Sequence, residues 1–305
     1  MMPTSDDFEV VVAAVEYAPS ALEETLRSIV SAVPRRTRIT VIDDTVMEGS
    51  LEDTAHMFFP RVAYHRNVRP LGLAGTLNKG FALSTSRYTV FPRVGDTFLP
   101  DAGMVYRLAV EEHEGAAVIF PRVVTVSAQG DRRVTIGDKA KGIVSPAWGN
   151  HSGKKAVESL LATAWAYPPA AAWLTELADE FPFDSAYGTA TGFHRLLRLL
   201  FEGEHLTAVG MEATTRNAGQ LDVPAFGNHK DDETAVYVWA GGEAKKRRWF
   251  YTEQLAKVAV PARASIIARA FAKNGQSFTS RARAAGDTFR PIATLGKEQR
   301  PQKPC

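Results

Sequence analysis

The pattern of apolar and polar positions in this 305-residue chain switches period several times within its first hundred residues. Phe8 to Val15 (FEVVVAAV) is apolar at almost every position and rich in β-branched residues, as expected of a strand covered on both faces of a parallel sheet. Leu22, Leu26, Ile29 and Val30 then recur at helical spacing behind Ser20 and Glu23, a Ser-x-x-Glu capping box, and Pro34 stops that helix. Arg38 to Asp43 (RITVID) predicts a second strand, Leu51 to Phe59 a second helix and Arg61 to His65 a third strand. Gly72, Gly75 and Gly80 bracket a helix from Leu73 to Leu83, and Tyr88 to Pro92 is a β-prone run ending in the loop Arg93-Val94-Gly95-Asp96. This alternation with short connections predicts a doubly wound, mostly parallel α/β sheet with right-handed crossovers. Ligands of such sheets sit at the C-terminal edge of the strands, so the stretch from Asn67 to Pro100 is the first place to look for function.

The later pattern is looser. Asp101 to His113 reads as a helix opened by Pro100 and Asp101, and Ala116 to Thr125 as a strong strand. Ala128 to Gly153 has no clean period and predicts an insertion or long loop. Ala156 to Ala166 and Ala170 to Glu180 have helical spacing, and Phe193 to Glu202 is amphipathic with Leu196, Leu197, Leu199 and Leu200 facing inward. Beyond Val223, helices are expected over Glu233 to Ala240 and Ala244 to Val258, separated by Gly241-Gly242, with another from Pro261 to Lys273. Low hydrophobicity from Gln276 onward predicts a mobile tail. The expected divisions are 1–225 for the sheet domain, 226–275 for a helical basic extension and 276–305 for the tail. No fixed-period repeat is visible.

Composition narrows the classes. No apolar run approaches a membrane span, and Met1 to Asp7 lacks the basic start and apolar core of a signal peptide, so the expectation is a cytoplasmic protein. The single cysteine, Cys305, excludes an internal disulfide framework and a thiolate-rich zinc site. The net charge of +2 conceals a division. From Ala244 onward, fourteen Lys or Arg stand against three acids, a net +11, and the remainder has 22 against 31, a net −9. Such asymmetry points to an anionic partner for the basic region. Within it, Lys245-Lys246-Arg247-Arg248-Trp249-Phe250-Tyr251 suits a surface that meets phosphate together with bases or lipid headgroups, or else a charged helix face whose aromatics pack on the body.

Residues 8 to about 222 resemble a family 2 glycosyltransferase of the GT-A fold. The likeness is carried by a strand ending in Glu16-Tyr17-Ala18-Pro19-Ser20, then LEETLRSIV, VIDDT, and N-x-x-P-x-G-x-x-x-x-L-N-x-G from Asn67 to Gly80. A strand, an acidic loop and F-L-P-D follow. Phe183-Asp184 is similar to the family's G-F-D-E turn, and Arg216-Asn217-Ala218-Gly219-Gln220 to its late R-x-H-x-G-S loop. The resemblance implies a Rossmann-like sheet flanked by helices that binds a nucleotide sugar, UDP-type favoured. Tyr17 would stack on the base and Asp43, with Asp44 nearby, would accept its ring N–H. The Asn67 to Gly80 stretch, with Gly72 and Asn78, would close over ribose and diphosphate.

The chain departs from the family where the chemistry is expected. The metal-binding D-x-D falls on Arg93-Val94-Gly95, leaving Asp96; the late His falls on Asn217, and the Glu-Asp pair holding the base falls on Thr191-Gly192. No divalent metal or other cofactor is therefore expected, and Arg93 could neutralise the leaving diphosphate in its place, if it is not simply a salt-bridged loop residue. Asp96 and His194 are the candidates for acid–base work, against a helix-cap partner for Asp96 and a capped or solvated side chain for His194. His229, Asp231 and Asp232 form a further polar cluster explained by helix-start chemistry. Two function classes follow. One is a metal-independent transferase moving a sugar to an acceptor hydroxyl, with DNA or protein as acceptor and the basic region docking a polyanion, nucleic acid or anionic membrane. The other is a non-catalytic GT-A module that binds a nucleotide sugar, a glycan or a partner protein. A nucleotidyltransferase is disfavoured, because attack at phosphorus leans harder on bound Mg²⁺.

Overall fold

The computed structural model describes residues 7–15, 18–46, 50–127, 130–133, 148–217 and 229–259. Residues up to Lys257 form one compact unit, and Val258–Cys305 a second, of which only 258–259 are described. Residues 229–257, assigned from the sequence to a separate extension, therefore belong to the unit that holds the sheet. The expected Pro261 to Lys273 helix and the tail lie outside the described residues.

Among the described residues, nine strands make one sheet: β1 (Phe8–Ala14), β2 (Ile39–Asp43), β3 (Val62–Arg66), β4 (Tyr88–Val90), β5 (Thr97–Phe98), β6 (Val118–Val126), β7 (Gly149–Ser152), β8 (Ala172–Leu174) and β9 (His205–Asn217). Their order is β3-β2-β1-β4-β8-β6-β9-β5, with β7 also on β9. Strands β1 to β4 pair parallel, and β6 and β9 run the same way, while β5, β7 and β8 oppose them. The sheet is thus mostly parallel, as the sequence predicts.

All seven residues of β1 are buried, and alternation assigns them to two cores. Phe8, Val10, Val12 and Ala14 join a cluster with Leu22, Leu26 and Ile29 of α1 (Pro19–Ala32), Leu51 and Ala55 of α2 (Ser50–His56), and Val105, Tyr106 and Ala109 of α4 (Ala102–Glu112). On the other face Val11 lies beneath Gly80 of α3 (Gly72–Leu83), where an added Cβ would meet Val11 Cγ1 at 3.0 Å and Phe91 at 2.6 Å. Two further helices, α5 (Gly153–Thr163) and α6 (Thr191–Phe201), pack against each other. A further helix, α7 (His229–Lys246), packs on α6 and on the short turn 185–190.

Three expectations are corrected. The Ser20–Glu23 capping box is absent: α1 begins at Pro19 with Ala18 as its unbonded cap, because proline presets the first helical φ and lacks the N–H a cap would serve. Ala170 to Glu180 is a strand between 3-10 turns, with Ala172–Leu174 inserted antiparallel between β4 and β6; burial at the sheet's centre overrides the helical spacing. Gly241 and Gly242 do not interrupt α7, which runs through them. It stops instead at Arg248, whose φ of 58° makes it the left-handed residue of a Schellman motif. Trp249 N–H bonds Ala244 O at 2.8 Å and Arg248 N–H bonds Lys245 O at 3.0 Å, and a new helix runs over 250–259.

Candidate active site

The parallel strands β1 to β4 deliver their C-terminal ends side by side. Asp44 N–H bonds Ala14 O and Asn67 N–H bonds Asp43 O, both at 2.9 Å, so the ladder extends one residue past β2 and β3. That extension places Asp44 against the loop before α3 and leaves Asp43 beside β3. Asp43 accepts from Thr45 N–H (2.8 Å) and Oγ1–H (2.7 Å) on one oxygen and from Tyr64 O–H (2.6 Å) on the other. Burial, and then the Asp43 carboxylate, push the Tyr64 phenol above its ordinary range, so it remains the donor.

Asp44 faces the start of α3. Its Oδ1 accepts from Asn67 Nδ2 (2.5 Å) and Leu71 N–H (2.8 Å), its Oδ2 from Gly72 N–H (2.8 Å) and Leu71 N–H (3.1 Å). These contacts from three donors, with Leu71 N–H shared between both oxygens, make Asp44 the anchor of this loop. Asn67 is spent likewise, its Oδ1 accepting from Lys79 Nζ at 2.6 Å. Gly72 adopts φ +70° to bring its N–H to Asp44. Asn78 pairs reciprocally with the Phe183 backbone, donating to its O and accepting from its N–H at 2.9 Å each, and so ties α3 to the 181–184 segment. Tyr17, Ala218-Gly219-Gln220 and the side chain of His229 lie outside the described residues.

The loop after β4 is held from α1. Thr25 Oγ1 accepts from Gly95 N–H (2.8 Å) and donates to Asp96 O (3.0 Å), and Ser28 Oγ accepts from Phe98 N–H (3.0 Å). This fixes Asp96, 1% exposed, with Oδ1 3.2 Å from Arg93 Nη2 and Oδ2 2.5 Å from the Tyr167 O–H. Arg216 lies over the Tyr167 ring at 5.5 Å and donates to Thr125 Oγ1 at 3.1 Å. Burial pushes the Asp96 carboxyl above the usual range, opposed by Arg93, Tyr167 and Arg216. Burial and the Asp96 charge push the Tyr167 phenol well up. Two guanidinium groups, one carboxyl and one phenol thus share the edge formed by β4, β6 and β9.

Both Asp96 oxygens are engaged, by Arg93 and Tyr167, and among the described residues no three His, Cys, Asp or Glu side chains converge as metal ligands.

His194 is not brought to this cluster. It is buried in α6, stacked on Tyr187 at 3.8 Å and edge-on to Trp239 at 4.4 Å, with no hydrogen bond to Nδ1 among the described residues. Burial lowers its pKa to about 4, leaving a neutral core imidazole where acid–base work was expected. Beside it Arg195, 1% exposed, sits over the rings of Phe81 (4.4 Å), Phe183 (4.7 Å) and Trp173 (5.1 Å). Asp232 accepts from Thr189 N–H and Oγ1–H at 2.8 Å each, joining α7 to the turn before α6. Tyr167 was missed because nothing in Ala-Trp-Ala-Tyr-Pro-Pro marks it. In the sequence Arg216 stands out only as a neighbour of the missing His, although an arginine beside a lost metal ligand is itself a signal.

Residues 9–144 match the sequence model described as Glycosyl transferase family 2, and the sheet and its flanking helices have the GT-A fold. No curated protein matches by sequence. S. aureus TarS 1-349 in complex with UDP is similar at a TM-score of 0.57 and 12% identity, covering 78% of this chain and 65% of that one. TarS 1-349 in complex with UDP-GlcNAc gives 0.57 at 10% identity, over 76% and 66%. Another S. aureus TarS structure gives 0.54 at 11%, over 76% and 39%. The chain therefore spans less than two thirds of each.

Proposed function

We propose that this protein moves a sugar from a UDP-type nucleotide sugar to an acceptor hydroxyl without a divalent cation, Arg93 and Arg216 stabilising the departing diphosphate. The observation that carries the reading is the pair of guanidinium groups on either side of the buried Asp96–Tyr167 bond, at the strand edge where such folds take ligands. A guanidinium is always charged and matches phosphate oxygens bidentately, so two of them supply what a metal would supply to a leaving diphosphate. Asp96 orients Arg93 in this scheme. Asp43 and the Asn67–Gly72 loop border the base and ribose side. The UDP and UDP-GlcNAc complexes of TarS support the donor class.

A second reading, a module that binds nucleotide sugar without turning it over, is favoured by two observations: Thr191 and Gly192 stand where the family's base would be, and Asp96 has both oxygens engaged. The deciding experiment measures UDP-sugar binding by thermal shift, and hydrolysis and transfer by UDP release, each with EDTA and with added Mn²⁺. Turnover unchanged by EDTA supports the metal-independent transferase. Turnover that requires Mn²⁺ overturns it, and tight binding without turnover leaves the binding module.

A further inference from the structure

We propose that the start of the helix over 250–259 is an interfacial anchor that seats this protein on an anionic lipid surface. Phe250 is 72% and Tyr251 64% exposed, adjacent and large, on a body whose other aromatics are mostly packed. The neighbouring aromatic shows the contrast: Trp249 stacks on Phe201 at 5.6 Å. The packing of Trp249 and the Schellman stop at Arg248 fix where the chain turns, and the next two residues are thereby turned outward. On a helix, positions 250, 254 and 257 share one side, so Phe250, Gln254 and Lys257 present a ring, an amide and an ammonium along one stripe.

The local charge is positive after internal pairing. Lys246 and Arg247 are engaged by Glu243, Arg247 also by Glu202, and Lys257 by Glu253. Exposed Lys245 and Arg248 flank the aromatics, and 258–305 contains nine further Lys or Arg against two acids. An aromatic pair at the acyl boundary with cations at headgroup level is the arrangement by which amphipathic helices lie on anionic bilayers. Nucleic acid fits less well. Successive helical side chains splay by about 100°, so the two rings cannot stack consecutive bases, and a phenylalanine offers nothing to a phosphate backbone. Among the described residues no helix is long and apolar enough to cross a membrane, so attachment would be peripheral.

The test is co-sedimentation of the full chain with phosphatidylcholine vesicles lacking or containing phosphatidylglycerol, at low and high salt, alongside a duplex DNA binding titration. The expected result is binding only to the phosphatidylglycerol vesicles, weakened by salt, and reduced at least about tenfold by Phe250→Ser with Tyr251→Ser. Arg248→Gly with Lys245→Gln, which keeps the left-handed residue, should weaken it similarly. Unchanged melting temperature and UDP-sugar binding show that the variants are folded, and this separates the anchor from the transferase reading. No vesicle binding at low salt, binding indifferent to both variants, duplex DNA binding that depends on the two rings, or self-association through them would each overturn the proposal.

Discussion

The Tyr167 phenol donates to Asp96 Oδ2 at 2.5 Å while Arg93 holds Oδ1 at 3.2 Å. The carboxyl is buried, so each partner compensates for the removal of water, and losing one exposes the full cost of an unsatisfied oxygen. Tyr167→Phe should therefore lower stability by about 1–3 kcal/mol in urea unfolding. It should also lower kcat more than donor affinity, since Arg93 loses its fixed partner geometry. Unchanged stability would mean that the phenol is dispensable to the site.

Arg93→Ala and Arg216→Ala should each reduce kcat by about tenfold to a thousandfold, with donor affinity changing much less, because charge grows on the diphosphate mainly in the transition state. Steady-state UDP release with donor affinity measured separately is the check. Equal losses in both quantities would assign the arginines to ground-state binding.

His194 titrates at about 4 in the folded chain against an unfolded value of 6.5, through burial. A lowered base pKa means that its contribution to stability is fully present above the unfolded value and is lost as pH falls from 6.5 through 4. The stacked Tyr187 ring and the edge-on Trp239 ring ease the charged form, so the loss should be about 2 kcal/mol, less than the whole shift implies. Urea unfolding at a series of pH values should show this slope in the parent and lose most of it in His194→Phe.

Gly103 is where α4 crosses the end of α1. A Cβ there would stand 2.5 Å from Ala32 O and 2.9 Å from Val33 Cα, backbone atoms that cannot swing aside. Gly103→Ala should cost about 1–3 kcal/mol despite alanine's better helix propensity. A gain in melting temperature would show that the two helices part easily.

How much the chain could say in advance depended on how local the governing physics was. The β1 to β4 series and its flanking helices were legible because buried parallel strands read as apolar runs and helices as a 3.6-residue period, both set by neighbours in sequence. The edge at which Asp43, Asp44, Asn67, Arg93 and Asp96 gather followed from that alternation alone. Tertiary structure decided the rest. Ala172–Leu174 became a strand because its place between β4 and β6 outweighs a helical pattern, and Gly241-Gly242 stayed helical within a helix whose Val236, Ala240 and Ala244 are fully buried. His194 and Asn78 carry side chains suited to chemistry, yet one is stacked on Tyr187 with Trp239 edge-on to it and the other clasps the Phe183 backbone, partners that local pattern does not reveal. Tyr167 meets Asp96 across 71 residues. Spacing along the chain carries no trace of such a contact, because it exists only once β4, β6 and β9 have closed the sheet around it.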